Sequence, residues 1–290
     1  MTRQPPEEPP YISRQVREAK RFYLAAGQPP VRDLVLICGG WERTTPDYLI
    51  RRDTFPWLGV EFVAGGSGTL VIGGRRHALA RGSCFAYGPG VAHRIESDPR
   101  RLLSKYYINF GGREALNLLS AVLMAPGSCR VVDNPGEIEA ALDVIIADGG
   151  HPRPQAALIA ALQLQVLLLK LGHDGAGQDT SDRRAQQTLR ACLRHIDTHY
   201  LELSTAEQAA AACHVSPGHM ARLFSRFGYA SPYEYLVRRK MVHAAELFDS
   251  GFLLVREVAE RLEMDPFQFS RVFKRVHGLS PSEFIRRHGG

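Results

Sequence analysis

Residues 214–236 read HVSPGHMARLFSRFGYASPYEYL, and residues 263–285 read EMDPFQFSRVFKRVHGLSPSEFI. The two stretches align without a gap at an offset of 49 residues, from 214 to 263. Ser216-Pro217 falls on Asp265-Pro266, and Met220, Arg222 and Phe224 fall on Phe269, Arg271 and Phe273. Ser231-Pro232 falls on Ser280-Pro281, and Glu234 on Glu283. Each copy has the form of a helix-turn-helix. In the first, Ser204-Thr205-Ala206-Glu207 carries a capping-box pattern, which predicts a helix from there through the alanines to Ala212. A turn follows at Cys213-His214-Val215. Ser216 caps the second helix, with Pro217 at its first position, where a missing N–H costs nothing. Met220, Leu223, Phe224 and Phe227 then share one face. Gly218, His219, Ala221, Arg222, Ser225 and Arg226 are left outward. Small side chains at 218 and 221 permit close approach to base edges, and Arg222 can reach guanine acceptors or a phosphate.

The second copy predicts a helix over Val255–Leu262, a turn at Glu263-Met264, an Asp265 cap and a helix to Val276. Phe269, Val272, Phe273 and Val276 face inward; Phe267, Gln268, Ser270, Arg271, Lys274 and Arg275 face outward. Phe267 has no core role at that position and suits a thymine methyl. Between the copies, Ser231 caps a long helix through Phe248 that holds the two units apart. A plain helical bundle with a cationic face would show amphipathicity, but not duplication, paired caps and matched arginines.

Charge supports the same reading. The 290-residue chain carries a formal +6. From Arg183 onward there are 16 Lys/Arg against 11 Asp/Glu, so +5 of that excess sits in the last third. This fits a polyanionic partner, double-stranded DNA, although a solvated basic face would carry the same charge. The five cysteines are scattered without a CxxC pair, so neither a zinc ribbon nor a disulfide framework is indicated. The N-terminus, MTRQPPEEPP, is polar and reads as a mobile arm without a signal peptide. The most apolar run, Ala156–Leu171, is too short to span a bilayer. A soluble cytoplasmic protein with no membrane association is the expectation.

The N-terminal half is of another kind. Ser13–Leu24 reads as a short helix. Short runs such as DLVLIC, GVEFVA, GTLVIGG and SKYYINF, separated by Gly- and Pro-containing turns, predict a β-sandwich or small barrel over about 31–112. Helical periodicity follows at Ala115–Met124, Glu137–Ala147 and Gln155–Leu171. The last of these is apolar around most of its circumference, so it packs on the barrel or forms a dimer interface. The polar, Gly-rich stretch 172–182 reads as a flexible linker. The expected architecture is therefore α+β in two domains: 1–171, with the barrel and the helices of 113–171, and an all-α 183–290.

These residues carry a family resemblance. The region Arg183–His288 resembles the AraC/XylS family of bacterial regulators, most specifically in VREVAERLEMDPFQFSRVFKRVHGLSPSEF. GSGTLVIGGRRHALARG and GSCFAYGPGVAH resemble cupin-type domains, which precede the DNA-binding half in many members and sense a small molecule. The resemblance implies a dimeric regulator, more often an activator acting on RNA polymerase, whose two recognition helices enter successive major grooves. It assigns base contacts to Gly218, Ala221 and Arg222, and to Pro266, Phe267, Ser270 and Arg271. Members commonly place Gly where this chain has His214 and Glu263. If those turns need positive φ, both residues are strained.

For the effector, the candidates are Trp41, Arg51, Trp57, Glu61, Tyr87, His93 and Tyr107, since aromatics with a few convergent polar groups suit a sugar-like ligand. Each aromatic is equally well explained as barrel core. The closing KYYINFGG is similar to that of sugar-responsive members. A metal-dependent cupin enzyme would need an HxH…E cluster, and Leu58–Leu70 contains no histidine. No metal, cofactor or catalysis is expected. A constitutive DNA binder whose barrel only dimerises is the alternative.

Overall fold

The structure is a computed structural model, and it describes residues 9, 11–24, 34–112, 114–173, 180–227, 229–251 and 254–288. The β half begins with β1 (Val16–Tyr23), β2 (Val35–Thr44), β3 (Leu49–Arg52), β4 (Leu58–Gly65) and β5 (Gly68–Ile72). It continues with β6 (Arg75–Leu79), β7 (Ser83–Tyr87), β8 (His93–Ser97) and β9 (Ser104–Gly111). Then come α1 (Ala115–Ala121), β10 (Cys129–Val131), α2 (Pro135–Gly149) and α3 (Ala156–His173). The strands form two sheets, one ordered β1-β2-β9-β4-β7-β10 and the other β3-β8-β5-β6.

Antiparallel register sorts the larger sheet into an inner and an outer face. Because successive side chains alternate, residues paired across strands share a face. Cys38, Asn109, Gly59 and Tyr87 form one inner row. Glu61 lies between Tyr107 and Phe85 in the next, and Glu42 pairs with Lys105 in a third. A Cβ on Gly59 would sit 2.3 Å from the Tyr87 ring, so glycine there is what lets the tyrosine lie flat across the strand. The outer face carries Phe62, Ile108, Phe110 and Val60, and packs on Leu142 and Ile145 of α2 and Leu164 and Leu168 of α3.

β1 corrects the expected helix at Ser13–Leu24. REAKR is a good helix-forming run, but it pairs with β2 as an edge strand whose Arg17, Glu18 and Lys20 stay in water while Arg21 turns inward to Glu42. Tertiary pairing overrides propensity, and charges on an edge strand discourage further association. β10 is a short strand inside a stretch expected to be helical, held by pairing with β7. α3 buries one side only: Leu158, Leu162, Val166 and Leu169 are exposed. The proline-rich arm, apart from Pro9, and residues 174–179 of the expected linker lie outside the described residues; helix occupies both margins of the linker, to His173 and from Thr180.

The helical half runs α4 (Thr180–His199), α5 (Ala206–Ala212), α6 (Pro217–Arg226), α7 (Pro232–Asp249), α8 (Val255–Arg261), α9 (Pro266–His277) and α10 (Pro281–His288). It has two cores. Leu193, Ile196, Ala210, Met220, Leu223 and Phe224 build the first; Val258, Leu262, Phe269, Phe273 and Val276 build the second. α7 belongs to both, giving Tyr235 and Leu236 to the first and Val237, Met241 and Phe248 to the second. The first core also takes in Leu123 and Ala125 of the β half. At this junction the Tyr235 hydroxyl donates to Asp197 at 2.9 Å and also meets Ser120 of α1. Burial pushes the Asp197 carboxyl up to about 6, partly offset by the Tyr235 hydrogen bond.

Candidate nucleic-acid interface and effector pocket

The two helix-turn-helix units repeat down to single hydrogen bonds. In the first, the His214 N–H donates to the Ala211 carbonyl and Val215 to Ala210, each at 3.0 Å. In the second, Glu263 donates to Glu260 at 3.0 Å and Met264 to Ala259 at 2.9 Å. His214 and Glu263 have φ of +55° and +54°. Both therefore sit in the left-handed region that glycine adopts freely and a side chain resists. The first helix starts one residue later than its capping pattern suggests. Thr205 is the N-cap, and Gln208 completes the box, because both Ser204 and Thr205 offer a hydroxyl and the backbone turns at the second.

α6 is capped by Ser216, whose hydroxyl accepts from the His219 N–H, and α9 by Asp265, which accepts from both Phe267 and Gln268. Met220, Leu223, Phe224, Phe269, Phe273 and Val276 are buried; Phe227 and Val272, expected inward, are half-buried at the edges of their cores. On α6, Gly218, His219, Ala221, Arg222, Ser225 and Arg226 are all exposed. On α9, Phe267, Gln268, Arg271, Lys274 and Arg275 are exposed, while Pro266 and Ser270 are half-buried. Phe267 is 81% exposed, the most exposed of the large apolar side chains among the described residues. The Ser270 hydroxyl is already spent on the Pro266 carbonyl at 2.9 Å.

Between the two sheets lies a polar interior. Lys105 is 2% exposed and sits 2.9 Å from Glu42 and 2.7 Å from Glu61. Burial alone would lower its pKa; the two carboxylates outweigh burial and hold it well above the usual lysine value. Burial likewise raises Glu42, but Lys105 and Arg21, the latter at 3.3 Å, bring it below the ordinary carboxylate range. Arg21, Lys105, Glu42 and Glu61 thus offset one another, and Arg52, half-buried beside them, adds one further positive charge. The Tyr87 hydroxyl donates to Glu61 at 3.0 Å, and its ring stacks on His93 with centroids 4.4 Å apart. Burial pulls His93 down to about 4, so the ring is neutral at pH 7; Nδ1 bonds the Val91 carbonyl at 3.1 Å. His93 Nε2 and the Tyr107 hydroxyl are buried with no hydrogen-bond partner among the described residues.

Glu61, Tyr87, His93 and Tyr107 thus converge in the interior. Trp57 is half-buried at its margin. Trp41 and Arg51 do not join them. Trp41 pairs with Tyr106 on the helix-facing side and donates to Ser104 at 2.9 Å. Arg51 is exposed on the outside of the smaller sheet. Lys105, Glu42, Tyr48, Arg52 and Asn109 are interior residues that sequence reasoning missed. A signal existed: in KYYINF, period-two alternation puts Lys105, Tyr107 and Asn109 on one face, and a lysine on the same face as strand residues expected in the core calls for buried partners. The interior is closed over by Tyr11, Ile12 and Ser13, leaving a space of about 20 Å³. Arg21 donates to the Ser13 carbonyl at 2.8 Å, Arg52 to that of Tyr11, and the Tyr11 ring meets Phe55 edge-on. Among the described residues no three His, Cys, Asp or Glu side chains converge as a metal would require, and no helix is long and apolar enough to cross a membrane.

A sensing β-domain joined to a pair of helix-turn-helix units is the build of a DNA-binding transcription regulator. Comparison with known proteins gives the family. Residues 40–171 match the AraC-like ligand binding domain, and 209–287 match a helix-turn-helix domain. The chain belongs to the AraC family of transcription regulators, which are not enzymes. It is 26% identical to the MmsAB operon regulatory protein of Pseudomonas aeruginosa, over 90% of this chain and 86% of that one. It is 21% identical to the lactose operon transcription activator of Staphylococcus xylosus, over 79% and 83%. With the uncharacterized HTH-type transcriptional regulator YpdC of Escherichia coli, 28% identity extends over 53% of this chain and 54% of that one.

Proposed function

We propose that the protein is an effector-responsive transcription activator that binds its operator as a homodimer and recruits RNA polymerase. Residues 1–171 sense and dimerise, 172–182 link, and 183–290 bind DNA. Gly218, His219, Ala221, Arg222, Ser225 and Arg226 meet one major groove; Pro266, Phe267, Gln268, Ser270, Arg271, Lys274 and Arg275 meet the next. Leu158, Leu162, Val166 and Leu169 on α3 make the dimer contact, since a stripe of four exposed aliphatic residues on one helix is satisfied by a second copy of itself.

The observation that carries the effector reading is an interior whose buried Lys105 is paired with Glu42 and Glu61 and whose Tyr107 hydroxyl and His93 Nε2 have no hydrogen-bond partner among the described residues. Such a site suits a neutral, hydroxyl-rich ligand of the carbohydrate class, entering as Tyr11–Ser13 withdraw. The lactose operon relative supports that class. The test is thermal melting and operator binding of the full chain against neutral mono- and disaccharides. A binder raises the melting temperature, and Glu61→Gln removes the rise. The nearly filled interior favours one alternative, a constitutive DNA binder with a purely dimerising β-domain. It is chosen if no sugar, acid or lipid moves either readout.

A further inference from the structure

On the outer face of the smaller sheet, Arg51 of β3 lies directly opposite Arg94 of β8. Arg94 is opposite Val71 of β5, and Val71 is opposite Arg76 of β6. With the strand order β3-β8-β5-β6, these side chains form one row across the whole sheet, about 14 Å long at the usual strand spacing. All three arginines are exposed. Arg94 shares its charge with Glu96, but among the described residues neither Arg51 nor Arg76 has an ion-pair partner. Like charges placed directly opposite destabilise a sheet. Folding alone therefore gives no reason for the row, and an external anion does.

The position of the row says which anion. Next to Arg76, the Arg75 guanidinium donates to the Ser225 carbonyl and hydroxyl, each at 2.7 Å, at the end of α6. Three residues past Arg51, the Thr54 hydroxyl donates to the Val276 carbonyl at 2.8 Å, at the end of α9. The two ends of the row thus abut the two helices that carry the DNA-facing residues. The row therefore lies on the outer face, one residue pair in from the rim of the sheet on which the ends of α6 and α9 rest.

We infer that the outer face of the β3-β8-β5-β6 sheet is a second DNA-contacting surface, on which Arg51, Arg94 and Arg76 hold the sugar-phosphate backbone of the duplex gripped by α6 and α9. The inference rests on the DNA-binding reading of the helical half. It adds affinity without base recognition, because phosphate contacts carry no sequence information.

The test uses the full chain and a fluorescent 40-base-pair duplex of mixed sequence, with binding measured by anisotropy over a range of KCl concentrations. With slopes counted per bound protomer, each phosphate contact contributes about 0.9 to the slope of log K against log salt. The triple variant R51Q/R76Q/R94Q should flatten the slope by about 2 to 3, and R51K/R76K/R94K should keep it, since lysine also neutralises phosphate. If the triple variant does not fold, R51Q and R76Q singly should each remove about 0.9. An unchanged slope overturns the inference. So does an unchanged slope with lost activation of a reporter gene, which would assign the row to an acidic protein surface. Failure of the wild-type chain to bind the duplex at all would instead strike the DNA-binding reading itself.

Discussion

The two helix-turn-helix units share a scaffold and differ in what they display. Phe224 and Phe273 hold equivalent core positions, both fully buried, and His214 and Glu263 hold equivalent turns within one degree of φ. Yet the exposed positions diverge: Gly218 against Phe267, His219 against Gln268, Ala221 against Ser270, Ser225 against Lys274. On the exposed faces of α6 and α9 themselves, Arg222 with Arg271 and Arg226 with Arg275 are kept. The caps differ too, one backbone bond at Ser216 against two at Asp265. Constraint follows burial. Inward positions keep apolar character while changing size (Met220 with Phe269, Leu223 with Val272), whereas most outward positions change chemical type, so that on the DNA-binding reading proposed above the two units would read different sequences from one frame.

The equivalence can be tested first in the cores. Phe224→Ala and Phe273→Ala should each cost about 3–5 kcal/mol, read by urea unfolding. Losses differing by more than a factor of two would mean the shared frame is geometrical and not energetic. At the surface, Arg222→Ala and Arg271→Ala should each weaken a specific site by about 1–3 kcal/mol. Each should relax base preference in one groove only, which selection of retained genomic fragments would reveal. Equal relaxation at both grooves would break the division of labour. The smallest effect lies in the turns. His214→Gly and Glu263→Gly relieve left-handed strain and should leave stability unchanged or raise it, by up to about 1 kcal/mol. Glu263→Gly should gain less, because Glu263 accepts a weak 3.4 Å contact from Ser204. Destabilisation in both would mean that the side chains, not the turn, set these positions.

What could be read from the residues alone follows the range of the forces involved. The helix-turn-helix units are local, with caps, turn and core within about one repeat of one another, and their exposed and buried faces emerged from periodicity. The one-residue slip from Ser204 to Thr205 arose where two adjacent hydroxyls fit the same cap. β1 was hidden because its partner β2 lies beyond another segment of chain, and local composition pointed to helix. Trp41 and Arg51 were misplaced because alternation tells that neighbours face opposite ways, but not which way is in. Nothing local announced that Thr54, Gly90 and Arg75 meet the helical half, since those contacts join residues 148 to 222 positions apart.

If the two units meet successive grooves as proposed, those contacts set the distance between them along DNA. α6 is fastened through Ser225 to Arg75, α9 through Val276 to Thr54, and α7 through Arg238 to the Gly90 carbonyl at 2.9 Å. Held only by α7, the two units would behave like beads on a stiff rod, able to rock about its axis. Mounted at three points on one sheet sandwich, they act as a caliper with a set gap. One extra base pair between the two grooves shifts the second by about 3.4 Å and turns it by roughly 34°. The duplex would then have to untwist or bend to restore the match, so operator spacing, as well as operator sequence, becomes something this protein reads.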